Sequence, residues 1–103
     1  MLKIEAEIYL NREDEGGMTK EGFSGMMPSF NVENNLIMCR VTLKTKKDVI
    51  ERGEYHKVSI ELPYGEEYRN YISAGYCFTL NTGKKIIAKG TVTSMEAISS
   101  EKN

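Results

Sequence analysis

The side chains able to do covalent or metal chemistry in this sequence are few and far apart. His56 is the single histidine, so no second one exists to complete a metal cluster or a catalytic triad with it. It falls in phase with Val58 and Ile60, which reads as a structural side chain with its hydrogen bond satisfied. Glu13-Asp14-Glu15 is the densest run of carboxylates. Paired carboxylates can hold a metal or move protons, but consecutive ones on a Gly-rich stretch read as a solvated face. Cys39 and Cys77 sit in no C-x-x-C pair and have no nearby histidine, which supports neither a zinc site nor a redox motif. Free, buried thiols are expected, and a disulfide between the two stays open. Gly83-Lys84-Lys85 lacks the G-x-x-x-x-G-K-[ST] frame of a phosphate-binding loop. The chain is therefore expected to be no enzyme and to carry no metal, cofactor or nucleotide.

What is left is the chemistry of contact. Met18, Met26 and Met27 cluster in a short polar stretch, and flexible thioethers there serve either as filling beneath a loop or as a surface that adapts to varied partners. Tyr64, Tyr68 and Tyr71 punctuate the segment PYGEEYRNY; tyrosine covers contact area at little entropic cost, so this segment is either a second contact surface or a cap. Lys84, Lys85 and Lys89 form a small basic stripe or a solubilising strand edge. Fourteen Lys and Arg stand against fifteen Asp and Glu, a formal net charge of −1, so no global field draws the chain to nucleic acid or anionic lipid.

These residues must be positioned by strands. Leu2, Ile4, Ala6, Ile8 and Leu10 recur at period two, with Lys3, Glu5, Glu7 and Tyr9 between them, the pattern of a half-buried strand. Residues 11–29 carry Gly16, Gly17, Gly22, Gly25 and Pro28 and predict a long loop. Phe30 and Val32 open a second strand, and Glu33-Asn34-Asn35 supplies a turn. Ile37, Cys39, Val41 and Leu43 line one face of a third strand, and residues 56–62 form another. Residues 63–71 read as an excursion. Tyr76, Phe78 and Leu80 alternate in the next strand, Asn81-Thr82-Gly83-Lys84 predicts a tight hairpin, and Ile86, Ala88, Gly90 and Val92 share one side of the last strand. About six short strands with no helical period predict an all-β fold, a small closed antiparallel Greek-key barrel. One domain over residues 1–96 and a polar tail over residues 97–103 follow, with enough chain for an independent core. The alternating N-terminus does not have the pattern of a signal peptide, and no apolar run reaches the roughly 18 residues of a membrane span. A soluble, cytoplasmic protein is expected.

Several motifs stand in a common register. They are Glu5-x-Glu7-x-Tyr9, then Asp14-Glu15-Gly16-Gly17, Phe23, Gly25, Pro28 and Phe30, and further on Gly75-x-x-Phe78, Gly83 and Gly90. Together they resemble the third, C-terminal β-barrel domain of bacterial elongation factor Tu, over residues 4–62 and again over residues 78–92, with an insertion at residues 63–71. In that family the domain packs beside a second barrel and a GTPase domain, and it holds the T-stem of aminoacyl-tRNA through the long loop and the closing hairpin. The resemblance implies a structural role for Asp14-Glu15-Gly16-Gly17. It also implies RNA contacts from Thr19, Lys20, Ser29, Thr82, Gly83, Lys84 and Lys85.

The departures matter as much. Met18, Met26 and Met27 stand where the family carries Arg, Tyr and Arg, and within residues 11–29 only Arg12 and Lys20 oppose Glu13, Asp14, Glu15 and Glu21. Phosphate recognition draws much of its affinity from cations, so the loop is expected to have turned from RNA toward protein. The function expected is a non-enzymatic binding module whose partner is a protein, as a decoy, an immunity-type inhibitor or a regulatory subunit linked to translation. The alternatives are binding of tRNA or structured RNA, and docking on a separate translational GTPase.

Overall fold

The computed structural model describes residues 1–95 as an all-β body, with two short 3-10 turns at Glu13–Glu15 and Gly65–Tyr68. The expected polar tail over residues 97–103 lies outside the described residues. Among the described residues no helix is long and apolar enough to cross a membrane.

Strand β1 (Leu2–Leu10) buries Leu2, Ile4, Ala6, Ile8 and Leu10, as the period-two pattern predicts. It lies between β7 (Tyr55–Leu62) and β9 (Lys85–Met95), antiparallel to both, and β9 in turn pairs β8 (Cys77–Thr82). The apolar sides of β1, β7, β8 and β9 face one interior. Phe30 and Phe78 meet there with ring centroids 4.4 Å apart, a stacked contact worth about 0.5–1.5 kcal/mol beyond the area it buries.

Closure comes from one bent hairpin. β3 (Ser29–Val32) pairs β8 on one side and β4 (Asn35–Met38) on the other, through a two-residue turn in which Glu33 and Asn34 both take positive φ. The chain then bends at Cys39 and continues as β5 (Arg40–Leu43), which pairs β7 at the opposite end of the ladder. The hairpin register survives the bend: Ser29 faces Met38, and three steps back Met26 bridges Val41. The Cys39 N–H and the Cys39 Sγ both reach the Pro28 carbonyl at 3.3 Å. Residues 26–32 and 35–43 thus act as two continuous strands that join β8 to β7, and the ring has the six strands expected. A short pair, β2 (Gly22–Phe23) with β6 (Val49–Ile50), flanks it.

Two expectations need correction. Ile86 does not share a side with Ala88, Gly90 and Val92. Leu80 faces Ala88 while Asn81 faces Ile86, so Ile87 is an extra residue that bulges β9 and flips the phase; Ile87 is buried and Ile86 is 47% exposed. The thiols are both free, but only Cys39 is buried, because Cys77 lies on the outward phase of β8.

Gly90 is required by close packing. A Cβ there would fall 2.6 Å from Phe78 Cζ and 2.8 Å from Ile8 Cγ2. Gly90→Ala is expected to destabilise the barrel by about 1–3 kcal/mol, read as a lower urea midpoint at unchanged slope. Burial pushes the Cys39 thiol up to about 12, so alkylation at pH 8 should modify Cys77 alone in the folded protein and both thiols in urea; rapid native labelling of Cys39 would contradict the fold.

Candidate functional site

The candidates of the long loop and the closing hairpin gather around the end of the barrel where β1 stops. The Asn11 N–H donates to the Ile87 carbonyl at 2.9 Å and the Gly53 N–H donates to the Leu10 carbonyl at 2.6 Å. The long loop therefore leaves between the start of β9 and the turn at residues 51–54. The β8–β9 hairpin lies at the same end, since Leu10 faces Ala88 near the beginning of β9.

The acidic run is structural. The Arg12 N–H donates to Glu15 Oε1 at 2.9 Å, the Tyr9 hydroxyl donates to the same oxygen at 2.8 Å, and Arg12 Nε holds Asp14 Oδ1 at 3.1 Å. The Arg12 N–H, followed by the Tyr9 hydroxyl, holds the Glu15 carboxyl below its ordinary value, and the same Glu15 contact raises the Tyr9 phenol. A second clamp closes the rest of the loop. The Arg52 N–H donates to Glu21 Oε1 at 2.6 Å, its guanidinium reaches Glu21 Oε2 at 3.2 Å, and its Nη1 donates to the Met18 carbonyl at 2.8 Å. Lys47 pairs with Glu51 at 3.2 Å, and Lys44 pairs with Glu5. Burial alone would raise the Glu5 carboxyl, but hydrogen bonds from Lys44 and Ser59 outweigh it and leave the group lowered.

The methionine trio is not one surface. Met26 is buried in the core, with its sulfur against Gly22, and Met18 is half-buried against the same core. Only Met27, at 61% exposure, faces out, so Met26 is corrected from contact candidate to core. The loop instead exposes Phe23, also at 61%, opposite exposed Val49 in the β2–β6 pair. Sequence reasoning did not single out Phe23 as an exposed side chain because it served there only as a motif position.

Among the tyrosines, Tyr68 packs against the core and neighbouring Ile72 is fully buried, so the insertion caps the far end of the barrel, while Tyr64 and Tyr71 are exposed. Of the RNA candidates, Ser29 faces Asn81 on β8, one residue before Thr82, which places it beside Gly83, Lys84 and Lys85. Thr19 and Lys20 lie on the segment clamped by Arg52, across β1 from that hairpin.

His56 Nε2 lies 2.8 Å from the Glu51 carbonyl, and since a carbonyl only accepts, this nitrogen carries the hydrogen. Glu51, Glu54 and His56 offer ligand atoms within 4.8 Å of one another. Lys47 already holds the Glu51 carboxylate, and Lys47 and Lys57 line the adjoining cavity, a poor setting for a further cation.

A groove of about 430 Å³ on the outer wall went unseen in the sequence. Glu7, Tyr55, Cys77, Thr79, Lys89 and Thr91 line it. Beside it the Tyr9 and Tyr55 rings meet at 5.1 Å, and Lys89 Nζ lies 5.3 Å from the Tyr9 ring centroid. The outward phase of β1 and β9 was the available signal. No protein-family model matches the chain.

The Arg52 clamp can be tested by titration. The Arg52 N–H, followed by its guanidinium, lowers the Glu21 carboxyl from an ordinary 4.5, so the stabilisation is complete above that value and is lost as pH falls through the folded-state value. In Arg52→Ala the Glu21 carboxyl should titrate closer to the ordinary value by carbon-detected NMR, and the amides of residues 18–21 should exchange faster. Unchanged titration and exchange would remove the clamp.

Proposed function

We propose that this chain is a non-enzymatic binding module on a scaffold resembling the C-terminal barrel domain of elongation factor Tu, and that its partner is a protein. One observation carries the reading. The loop that the resemblance gives to RNA uses Arg12 and Arg52's guanidinium on its own carboxylates and carbonyls while turning Phe23 and Met27 outward. Cations committed to internal partners are poor sources of counterion release, whereas exposed aromatic and thioether groups suit a protein surface. A retained scaffold with changed contact residues fits a decoy, an immunity-type inhibitor or a regulatory subunit linked to translation.

A second reading keeps tRNA or structured RNA as the ligand. It rests on the hydroxyls of Ser29 and Thr82 standing beside Lys84 and Lys85, which make no ion pair among the described residues.

Tagged protein drawn from lysate of its own cell, with and without nuclease, separates these readings. A stoichiometric protein that survives nuclease and is lost on Phe23→Asp with Met27→Asp supports the first. Both sites are exposed, so the variant should keep its melting temperature. A co-purifying GTPase would specify the partner as a translational GTPase. Recovery of RNA alone, together with tRNA binding at about 50 mM salt that falls steeply as salt is raised, would replace the first reading by the second.

A further inference from the structure

The groove on the outer wall has unused chemistry. It arises because short side chains, Cys77 and Thr79 in the first half of β8 and Thr91 in the middle of β9, leave space, while Glu7, Tyr55 and Lys89 rise around them. Its volume of about 430 Å³ lies within the range of small-molecule sites. Among the described residues neither Glu7 nor Lys89 forms an ion pair, whereas Arg12, Lys44, Lys47, Arg52 and Arg69 all do. Glu7 faces Thr91 and Tyr9 faces Lys89, so Glu7 and Lys89 are diagonal neighbours across β1 and β9. They nevertheless stay apart, with Lys89 drawn over the Tyr9 ring. Lys57 stands opposite Glu7 on β7 and lines only the neighbouring cavity, whereas Glu7 borders both cavities; the two residues form no ion pair among the described residues.

We propose that this groove binds a small zwitterion of the amino-acid class with an aromatic side chain. The ligand carboxylate meets the Lys89 ammonium, its ammonium meets the Glu7 carboxylate, and its ring lies against Tyr55. The Thr79 hydroxyl, which already donates to Asn81 Oδ1 at 3.0 Å, offers an acceptor at the floor, and the Thr91 hydroxyl a further hydrogen-bonding group. A cavity holding one anion and one cation, neither in an ion pair among the described residues, favours a ligand with both charges over one with either alone, because a singly charged ligand leaves one wall group without a counter-charge from the ligand. The site is independent of the protein-partner surface at Phe23 and Met27.

Three probes test the charges separately: L-phenylalanine, N-acetyl-L-phenylalanine, which has no cation, and L-phenylalaninamide, which has no carboxylate. An open groove and so small a ligand set roughly millimolar affinity, so amide shifts are followed by NMR up to about 10 mM. L-Phenylalanine should shift residues 77–79 and 89–91 saturably and slow alkylation of Cys77, with each blocked probe about tenfold weaker. Lys89→Met should abolish the advantage of L-phenylalanine over the amide, and Glu7→Gln its advantage over the N-acetyl compound; both residues face outward, so the fold is spared. Equal binding of all three probes, shifts without protection of Cys77, or no saturable shift at about 10 mM would each overturn the proposal.

Discussion

The structure depends on a single hairpin being shared by two neighbours that would otherwise be the free edges of a curled sheet. β8 needs a partner on one side and β7 on the other, and the 26–43 segment supplies both because it bends at Pro28 and Cys39. Proline lacks the N–H that a straight ladder would use, and its carbonyl takes the bonds of the Cys39 N–H and thiol at the bend. With the bend made, β8, β9, β1 and β7 have neighbours on both sides, and Phe30, Val32, Cys39 and Val41 turn inward together. An open sheet of the same strands would expose main-chain groups at two edges, each a template for association.

Closure also governs the loops. Once β1 is held between β7 and β9, the chain after Leu10 must leave through a narrow interval between Ile87 and Gly53, and it is tied there by main-chain bonds. The polar groups that follow are held close to one another and to Arg52, so carboxylates and guanidinium groups satisfy each other locally. Such exposed pairs add little stability each, since solvent screens them. Their consequence lies in recognition, because a cation already held by a carboxylate is less available to a phosphate.

Much of this was legible in the sequence, and the exceptions share a cause. Strict period-two runs such as Leu2 to Leu10 announced their strand and its buried face, and the turns at Asn34 and Gly83 announced theirs. Ile86 was misplaced because a bulge shifts phase by one residue, and nothing in IIAKG marks where the extra residue goes. Met26 stayed open between core filling and contact surface because the bridge to Val41 that accompanies its burial crosses the hairpin bend, a contact between distant residues that composition cannot show. Residues 63–71 divided between both readings: Tyr68 covers the barrel end, while Tyr64 and Tyr71 extend from it. The outer groove was missed for a related reason, since its wall gathers residues from five strands, β3, β8, β9, β1 and β7, whose lateral order the sequence does not show.

That last point bears on where binding capacity can reside in so small a barrel. The interior holds branched and aromatic side chains, with Phe30 stacked on Phe78 and Gly90 needed to admit them. The candidate surfaces lie on the outside: the loops at the two ends and the wall between them. On the wall, neighbouring side chains are fixed by ladder register and so hold their spacing with little ordering cost on binding. In the loop the same rigidity comes from Arg12, Arg52 and their carboxylates. Arg12 and Arg52 thus serve in the loop to build its shape, while on the wall Glu7 and Lys89 enter no ion pair among the described residues.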